Sequence, residues 1–305
     1  MISAFPGVVI GVDGSRGSSA AIRAGVQEAG RLGLPVRIVH VVPDYLPMSP
    51  LVSLATTALS ENGTEILRQA ADEAVALAPD LSIDVELRHG PRATELAHGA
   101  VEAHGLFVGT DDRTVVDRLV RGNTSSGVAA RATCPVVVVP ADWAGTARGV
   151  VAVGVKSPRH STELLAAAFA AADARGDRLV VLHSWKLPSG YDDIIASRVA
   201  VEEWAQRSTT EMEILLKDWR ISYPQVDVEV RVAHAEAARA LASVSGEADL
   251  LVIVRRAHGV PAATHLGAVA RSVLRSSHCP VLVVPPEGAT AVPGLVVEQA
   301  GAFRA

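Results

Sequence analysis

The stretch Phe107–Ser126, FVGTDDRTVVDRLVRGNTSS, gathers the residue types that can hold a phosphate. Gly109 follows a short apolar run, and further along Gly122 precedes Asn123, Thr124 and Ser125. A glycine at a strand end lets backbone N–H groups approach phosphate oxygens. A helix opened by Gly122 would turn its first amides and its dipole on an anion, with Asn123, Thr124 and Ser125 as further donors. The same residues equally describe a turn followed by a helix cap. Asp111 and Asp112 oppose a phosphate unless a divalent cation bridges them to it; Arg113, Arg118 and Arg121 offset them in part. Near the N-terminus, Asp13 of the run Asp13-Gly14-Ser15 can accept hydrogen bonds from a ribose hydroxyl or an adenine amine, or it can open an Asx turn. Val41 could flank a base, although a valine in a strand is first of all a core residue.

Signatures of catalysis are missing. A phosphate-binding P-loop needs Gly-Lys-Ser/Thr, but the lysines are Lys156, Lys186 and Lys217, none after a glycine. There is no Gly-x-Gly-x-x-Gly after a strand and no Gly-x-Ser-x-Gly elbow. No carboxylate pair stands out as an acid/base couple. His40 and His183 occupy equivalent strand positions, which points to packing. Binding is therefore expected without a reaction, leaving slow hydrolysis of a nucleotide open.

Such residues need a frame. Apolar residues make up 49% of the 305 and charged residues 20%, a globular composition, and with 4% aromatics the core must be Val, Leu, Ile and Ala. A net charge of −5 gives no basic field for nucleic acid. No apolar run is long enough to span a membrane, and the opening MISAFPGVVIGV carries no basic leader, so the expected location is cytoplasmic. Cys134 and Cys279 are read as small buried hydrophobes, each before a proline.

The chain is written twice. VVIGVD (Val8–Asp13) returns as VAVGVK (Val151–Lys156), and IVHV (Ile38–Val41) as VLHS (Val181–Ser184). Gly122 matches Gly267, and Cys134 matches Cys279. The expected division is residues 1–141, residues 149–286 and a tail, 287–305, with Ala141–Arg148 as linker. In each half, apolar strand runs alternate with helices, which implies a doubly wound α/β fold: two tandem five-stranded parallel sheets, covered on both faces. The helix after the second strand is expected to start near Asn62, whose spacing to Glu65 fits a capping box. For a strand order 3-2-1-4-5 the ligand crevice lies beyond the first and fourth strands, at Asp13–Ser15 and Gly109–Asp112.

VVIGVDGS, IVHVV, Gly90 ahead of a helix, and the glycine-bearing stretch that ends in CPVVVVP resemble a universal stress protein, and the whole chain resembles the tandem form. The resemblance implies a Rossmann-like fold of the adenine nucleotide alpha-hydrolase type, a stress-response or regulatory role, and binding of ATP or another adenine nucleotide, with or without Mg2+. It implies a homodimer, with intrachain pairing of the two halves. It assigns Val12, Asp13, Gly14, Ser15 and Val41 to the nucleoside, and Gly90 to the loop approaching the sugar. Gly109, Thr110, Asp112, Arg113, Gly122, Asn123, Thr124 and Ser125 surround the phosphates. Two positions depart from the family: Asp112 stands at a glycine position and Asn123 at a Ser/Thr position, so adenosine and AMP are expected to bind better than ATP. In the second half Lys156 replaces Asp13, Ala235 replaces Gly90 and Val254 replaces Gly109. That half is expected to bind no nucleotide: Lys156, Arg255, Arg256 and His258 either surround a basic cleft or form the solvated rim of a closed pseudo-site. The alternative is a scaffold or interaction protein of the same fold with no nucleotide.

Overall fold

The computed structural model of the chain describes residues 5–43, 50–110, 124–145, 147–157, 161–186, 194, 201–255 and 266–286, with side chains of helix residues 50–57 excepted. Elements of the first repeat are β1 (Val8–Val12), α1 (Arg16–Leu32), β2 (Val36–Val42), α2 (Pro50–Leu77), β3 (Ile83–His89), α3 (Arg92–Gly99), β4 (Gly105–Gly109), α4 (Thr124–Arg131) and β5 (Val136–Val139). The second repeat follows with β6 (Val150–Gly154), α5 (Thr162–Arg175), β7 (Arg178–Trp185), α6 (Val201–Ser222), β8 (Val228–His234), α7 (Ala237–Ser245), β9 (Leu250–Val254), α8 (Ala268–Ser276) and β10 (Val281–Val284).

The chain forms two compact units. The first takes the described residues up to 145 together with 255, 266–267 and 280–286, and the second takes those of 147–254 and 268–279. In the first unit the strand order is β3-β2-β1-β4-β5, all parallel, the order for which the ligand crevice was placed beyond the first and fourth strands. β10 adds to it, antiparallel to β5, with Leu282 opposite Val137. In the second unit β9, β6, β7 and β8 lie side by side and parallel.

Continuous Val/Ile runs are what a sheet covered on both faces requires. β1 is buried along its whole length. Successive strand side chains point to opposite faces: Ile10 packs against Gly25 of α1, and its neighbour Gly11 faces Leu96 of α3. One layer is α1 with α2, where Ala20, Ala21, Ile22, Val26 and Ala29 pack on Val8, Ile10 and Ile38. The other is α3 packed against α4. Small α1 side chains let that helix sit close to the sheet. In the second unit the few aromatics concentrate between helices: the Phe169 ring of α5 lies 5.4 Å from Trp219 of α6.

One expected boundary moves. α2 begins at Pro50, so Asn62 lies inside the helix and caps nothing. Proline is accepted at a first helical position, so the Pro- and Ser-rich stretch before Asn62 did not have to be loop. The glycine beside Asn62 has a packing reason: a Cβ on Gly63 would come within 2.9 Å of His40 and Leu87. The expected tail, 287–305, lies outside the described residues.

Candidate functional site

The C-terminal ends of β1 and β4 adjoin, because those strands pair directly, with Gly11 opposite Val108. Beyond β1 the chain turns sharply into α1. Asp13 Oδ1 accepts the Ser15 N–H at 3.0 Å and the Ser18 hydroxyl at 2.8 Å, while the Asp13 N–H donates to Ser18 Oγ at 2.8 Å. Ser15 caps α1 by accepting the Ser18 N–H at 3.4 Å. Gly14, at φ 76°, takes the left-handed conformation that such a turn asks of it. The Asx turn is thus realised. Its contacts with Ser15 and Ser18 pin an exposed carboxylate at the sheet edge.

A cleft of about 60 Å³ opens there, and among its lining residues are Val12, Asp13, Ser15, Val41, Gly109, Thr110, Thr124 and Ser125. A second hollow of about 100 Å³ adjoins Asp13 on the side of His40, Asn62 and Ile66. The structure therefore brings together residues from β1, β2, β4 and α4 that are far apart in the chain. Gly14 and Gly90 do not line the cleft. Gly90 instead sits at φ 132° where β3 gives way to α3, and its N–H donates to Val42 O at 3.0 Å. Asp112, Arg113, Gly122 and Asn123 lie outside the described residues, as do Arg256 and His258.

The glycine at the end of β4 has a reason other than ligand approach. A Cβ on Gly109 would overlap the backbone of Gly17, and a Cβ on Gly17 would overlap the Thr110 carbonyl. The two glycines let the first turn of α1 press on the end of β4. Thr110 is likewise tied into the fold, its N–H donating to Val139 O at 2.8 Å and its hydroxyl accepting the Ala141 N–H at 3.0 Å. Ser125 is buried and faces the cleft from the first turn of α4.

Residues passed over in the sequence complete the wall: Gly11, Ser18, Arg92, Leu96 and Val108. Arg92 lines both hollows, and its buried Nε has no hydrogen-bond partner among the described residues. A signal for it existed in the sequence. Arg92 opens the helix that follows the third strand, and helices after parallel strands start at the ligand edge of the sheet. His40 is buried beside this wall. Its Nδ1–H donates to the Val12 carbonyl at 2.8 Å, and burial holds its pKa below the ordinary imidazole value; the Val12 bond raises it, nearby Arg92 lowers it and Asp13 raises it. His183 repeats the bond, to Val155 O at 2.9 Å, so the equivalent histidines tie the second strand of each repeat to the first.

The basic cleft expected in the second half is corrected in one member. Arg255 is only 6% exposed, and its Nη1 donates to Ala129 O at 3.0 Å and Ala132 O at 2.9 Å, carbonyls at the C-terminal end of α4. It closes a helix end within the first unit and faces no solvent cleft. Lys156 is exposed. Among the described residues no group of three or more His, Cys, Asp or Glu is placed to hold a metal. Among them, too, no helix is long and apolar enough to cross a membrane. Cys134 and Cys279 are buried and form no disulfide among the described residues, and burial pushes each thiol up to about 12.

Comparison with known proteins bears on the whole chain. A curated universal stress protein of Mycobacterium tuberculosis is 31% identical over 286 residues, 91% of this chain and 96% of the relative. Another, from Mycolicibacterium smegmatis, is 29% identical over 288 residues, 92% of this chain and 97% of the relative. Among solved structures, a universal stress protein from Archaeoglobus fulgidus superposes with a TM-score of 0.67 at 17% identity, covering 92% of this chain and 97% of that one. The model of the universal stress protein family matches twice, over residues 5–140 and 148–285, and on these grounds the chain belongs to that family.

Proposed function

We propose that the protein is a stress-response regulator that acts by binding an adenine nucleotide (ATP, ADP or AMP, with or without Mg2+) through its first domain, residues 1–141, and not by catalysis. The carrying observation is the convergence of Asp13, Val41, Gly109, Thr124 and Ser125 on one cleft at the switch point between β1 and β4. Ser15 and Ser18 hold the Asp13 carboxylate at the cleft, where in this reading it accepts from a sugar or base. The α4 N-terminus opposite is a place for phosphate. Asp112, Arg113, Gly122 and Asn123 belong to the phosphate side of this proposal, and Gly14, Gly90 and Thr110 to its backbone frame. Residues 149–286 carry no nucleotide in this reading: Lys156 stands where the carboxylate was, and Val254 where Gly109 was. A homodimer in the cytoplasm, with the two domains of each chain paired through their last strands, completes it, supported by the ladder of β10 on β5.

The scaffold reading has one observation in its favour. The described cleft, about 60 Å³, is small beside the roughly 300–1,000 Å³ of ordinary ligand sites. Melting curves separate the two. At a hundredfold excess over its dissociation constant a native-state ligand adds about 2.7 kcal/mol. Asp13→Asn keeps a side-chain oxygen for the Asx turn while removing the charge. AMP, ADP or ATP should raise the melting temperature of the wild type and leave Asp13→Asn unmoved. No shift with any of the three, with or without Mg2+, would leave the scaffold.

A further inference from the structure

The two repeats carry the same helix start in two versions. Gly90-Pro91-Arg92 of the first corresponds to Ala235-Glu236-Ala237 of the second. In the second, Glu236 is the N-cap of α7, its Oε1 accepting the Ala238 N–H at 3.3 Å. That helix supplies its own anion, and the neighbouring arginine has become alanine. In the first, Pro91 is the N-cap of α3 and offers no side-chain acceptor. Its carbonyl accepts the Thr94 and Glu95 N–H groups, each at 3.0 Å, so the amides of Arg92 and Ala93 keep no acceptor within the helix. Beside them the Arg92 guanidinium lines both hollows, with its buried Nε unpartnered among the described residues.

A guanidinium half withdrawn from water is costly until an acceptor meets it. It presents a planar fork that matches phosphate, and a helix N-terminus adds backbone donors to the same group. Where the second repeat has built a carboxylate into the chain, the first leaves an open helix end and adds a cation.

We propose that Arg92 and the open N-terminus of α3 form an anion subsite of this cleft, which takes the phosphate of a nucleoside monophosphate while Asp13 accepts from its sugar or base. The proposal rests on the nucleotide reading above. It deepens that reading, because it makes the preference for a phosphorylated ligand a property of α3 as well as of α4. A hollow of about 100 Å³ has room for a phosphate group.

Titration calorimetry on the full chain tests it, with adenosine, AMP and inorganic phosphate as probes. The wild type is compared with Arg92→Gln, Arg92→Lys and Pro91→Glu. The loss of one charge-assisted contact corresponds to about tenfold or more in affinity. The wild type should bind AMP at least about tenfold tighter than adenosine. Arg92→Gln should abolish that preference, AMP losing more affinity than adenosine. Arg92→Lys should restore part of it. Pro91→Glu, which installs the carboxylate of the second repeat, should abolish it too. An AMP-to-adenosine ratio that survives in Arg92→Gln, or no preference in the wild type, overturns the proposal. If neither adenosine nor AMP binds, the nucleotide reading falls instead and the phosphate arm decides. Phosphate heat that needs Arg92 keeps the anion subsite; phosphate heat that does not, or none at all, overturns it.

Discussion

Arg255 joins the close of the first repeat's last helix to a residue that the chain supplies more than a hundred positions later. Its guanidinium is 6% exposed and reaches Ala129 O and Ala132 O. Burial pulls its pKa down, although Cys134 close by raises it. Two opposing terms decide what the arrangement contributes. Hydrogen bonds from a charged donor add about 1.5–3 kcal/mol each, and a buried carbonyl left without a donor costs about 1–3 kcal/mol. Against this, withdrawing an ion from water costs several kcal/mol, a cost that an apolar replacement removes. Arg255→Met fills most of the volume, drops the charge and orphans both carbonyls. The net expectation is a loss of about 2 kcal/mol, or roughly 4–8 °C in melting temperature for a domain of this size. A chain of two units need not unfold in a single step. The discriminating assay is therefore hydrogen exchange resolved by peptide. Amides of α4 should lose protection in Arg255→Met, while β6 and β7 keep theirs. The affinity of the cleft should fall in parallel, because Thr124 and Ser125 sit on the first turn of the same helix. Unchanged exchange across α4, together with unchanged stability, would show that the attraction only cancels the desolvation and that the capping argument is wrong.

Packing and protonation give three further outcomes. Gly109→Ala places a Cβ on the backbone of Gly17, so α1 must move; the expected cost is about 2–3 kcal/mol, read as a fall in urea midpoint. Gly30→Ala, on the open side of α1 with no atom near its Cβ, should instead stabilise by about 0.4–1 kcal/mol. His40 has its folded pKa below the unfolded imidazole value, chiefly through burial. The unfolded chain then binds the proton first, so stability is present above a pH of about 6.5 and is lost as pH falls below it toward the folded pKa. His40→Gln should flatten that part of the stability–pH profile, and an unaltered slope would show that another group titrates there.

The fold was legible because its signals are local and repeated. Val8–Val12 is a continuous apolar run of strand length and Val36–Val42 a β-branched one, and each has its counterpart in the second half. The handedness of crossovers then required helices on both faces and a reversal of strand order, while the particular order 3-2-1-4-5 came with the family resemblance. The site was legible only in part. Asp13, Val41 and Gly109 were found because the crevice of a doubly wound sheet lies beyond known strand ends. The reasons for them were not. Gly109 meets Gly17 across ninety residues, a contact that no local pattern announces. The start of α2 was misplaced because the Asn62–Glu65 spacing mimics a cap while tertiary packing extends the helix through it. Arg255 was read as a surface charge since arginine is ordinarily exposed; its burial depends on carbonyls from α4 that only the folded chain brings to it.

The divergence between the repeats has a sense of its own. At the end of the first strand, Asp13 becomes Lys156, an acceptor exchanged for a donor. At the start of the helix after the third strand, the pair Pro91-Arg92 becomes Glu236-Ala237, an open end with a cation exchanged for a capped end without one. Random decay of a ligand site would erase polar groups. Here they are exchanged, and in the one pair whose contacts are resolved, the new carboxylate satisfies the backbone that the old site left open. A helix end stabilised by its own side chain no longer needs an external anion. On the proposed reading, the same exchange that closes a second site also gives its helix an internal cap in place of a ligand. Stability in the second unit should therefore be indifferent to nucleotide, while α3 in the first unit tightens when a phosphate arrives.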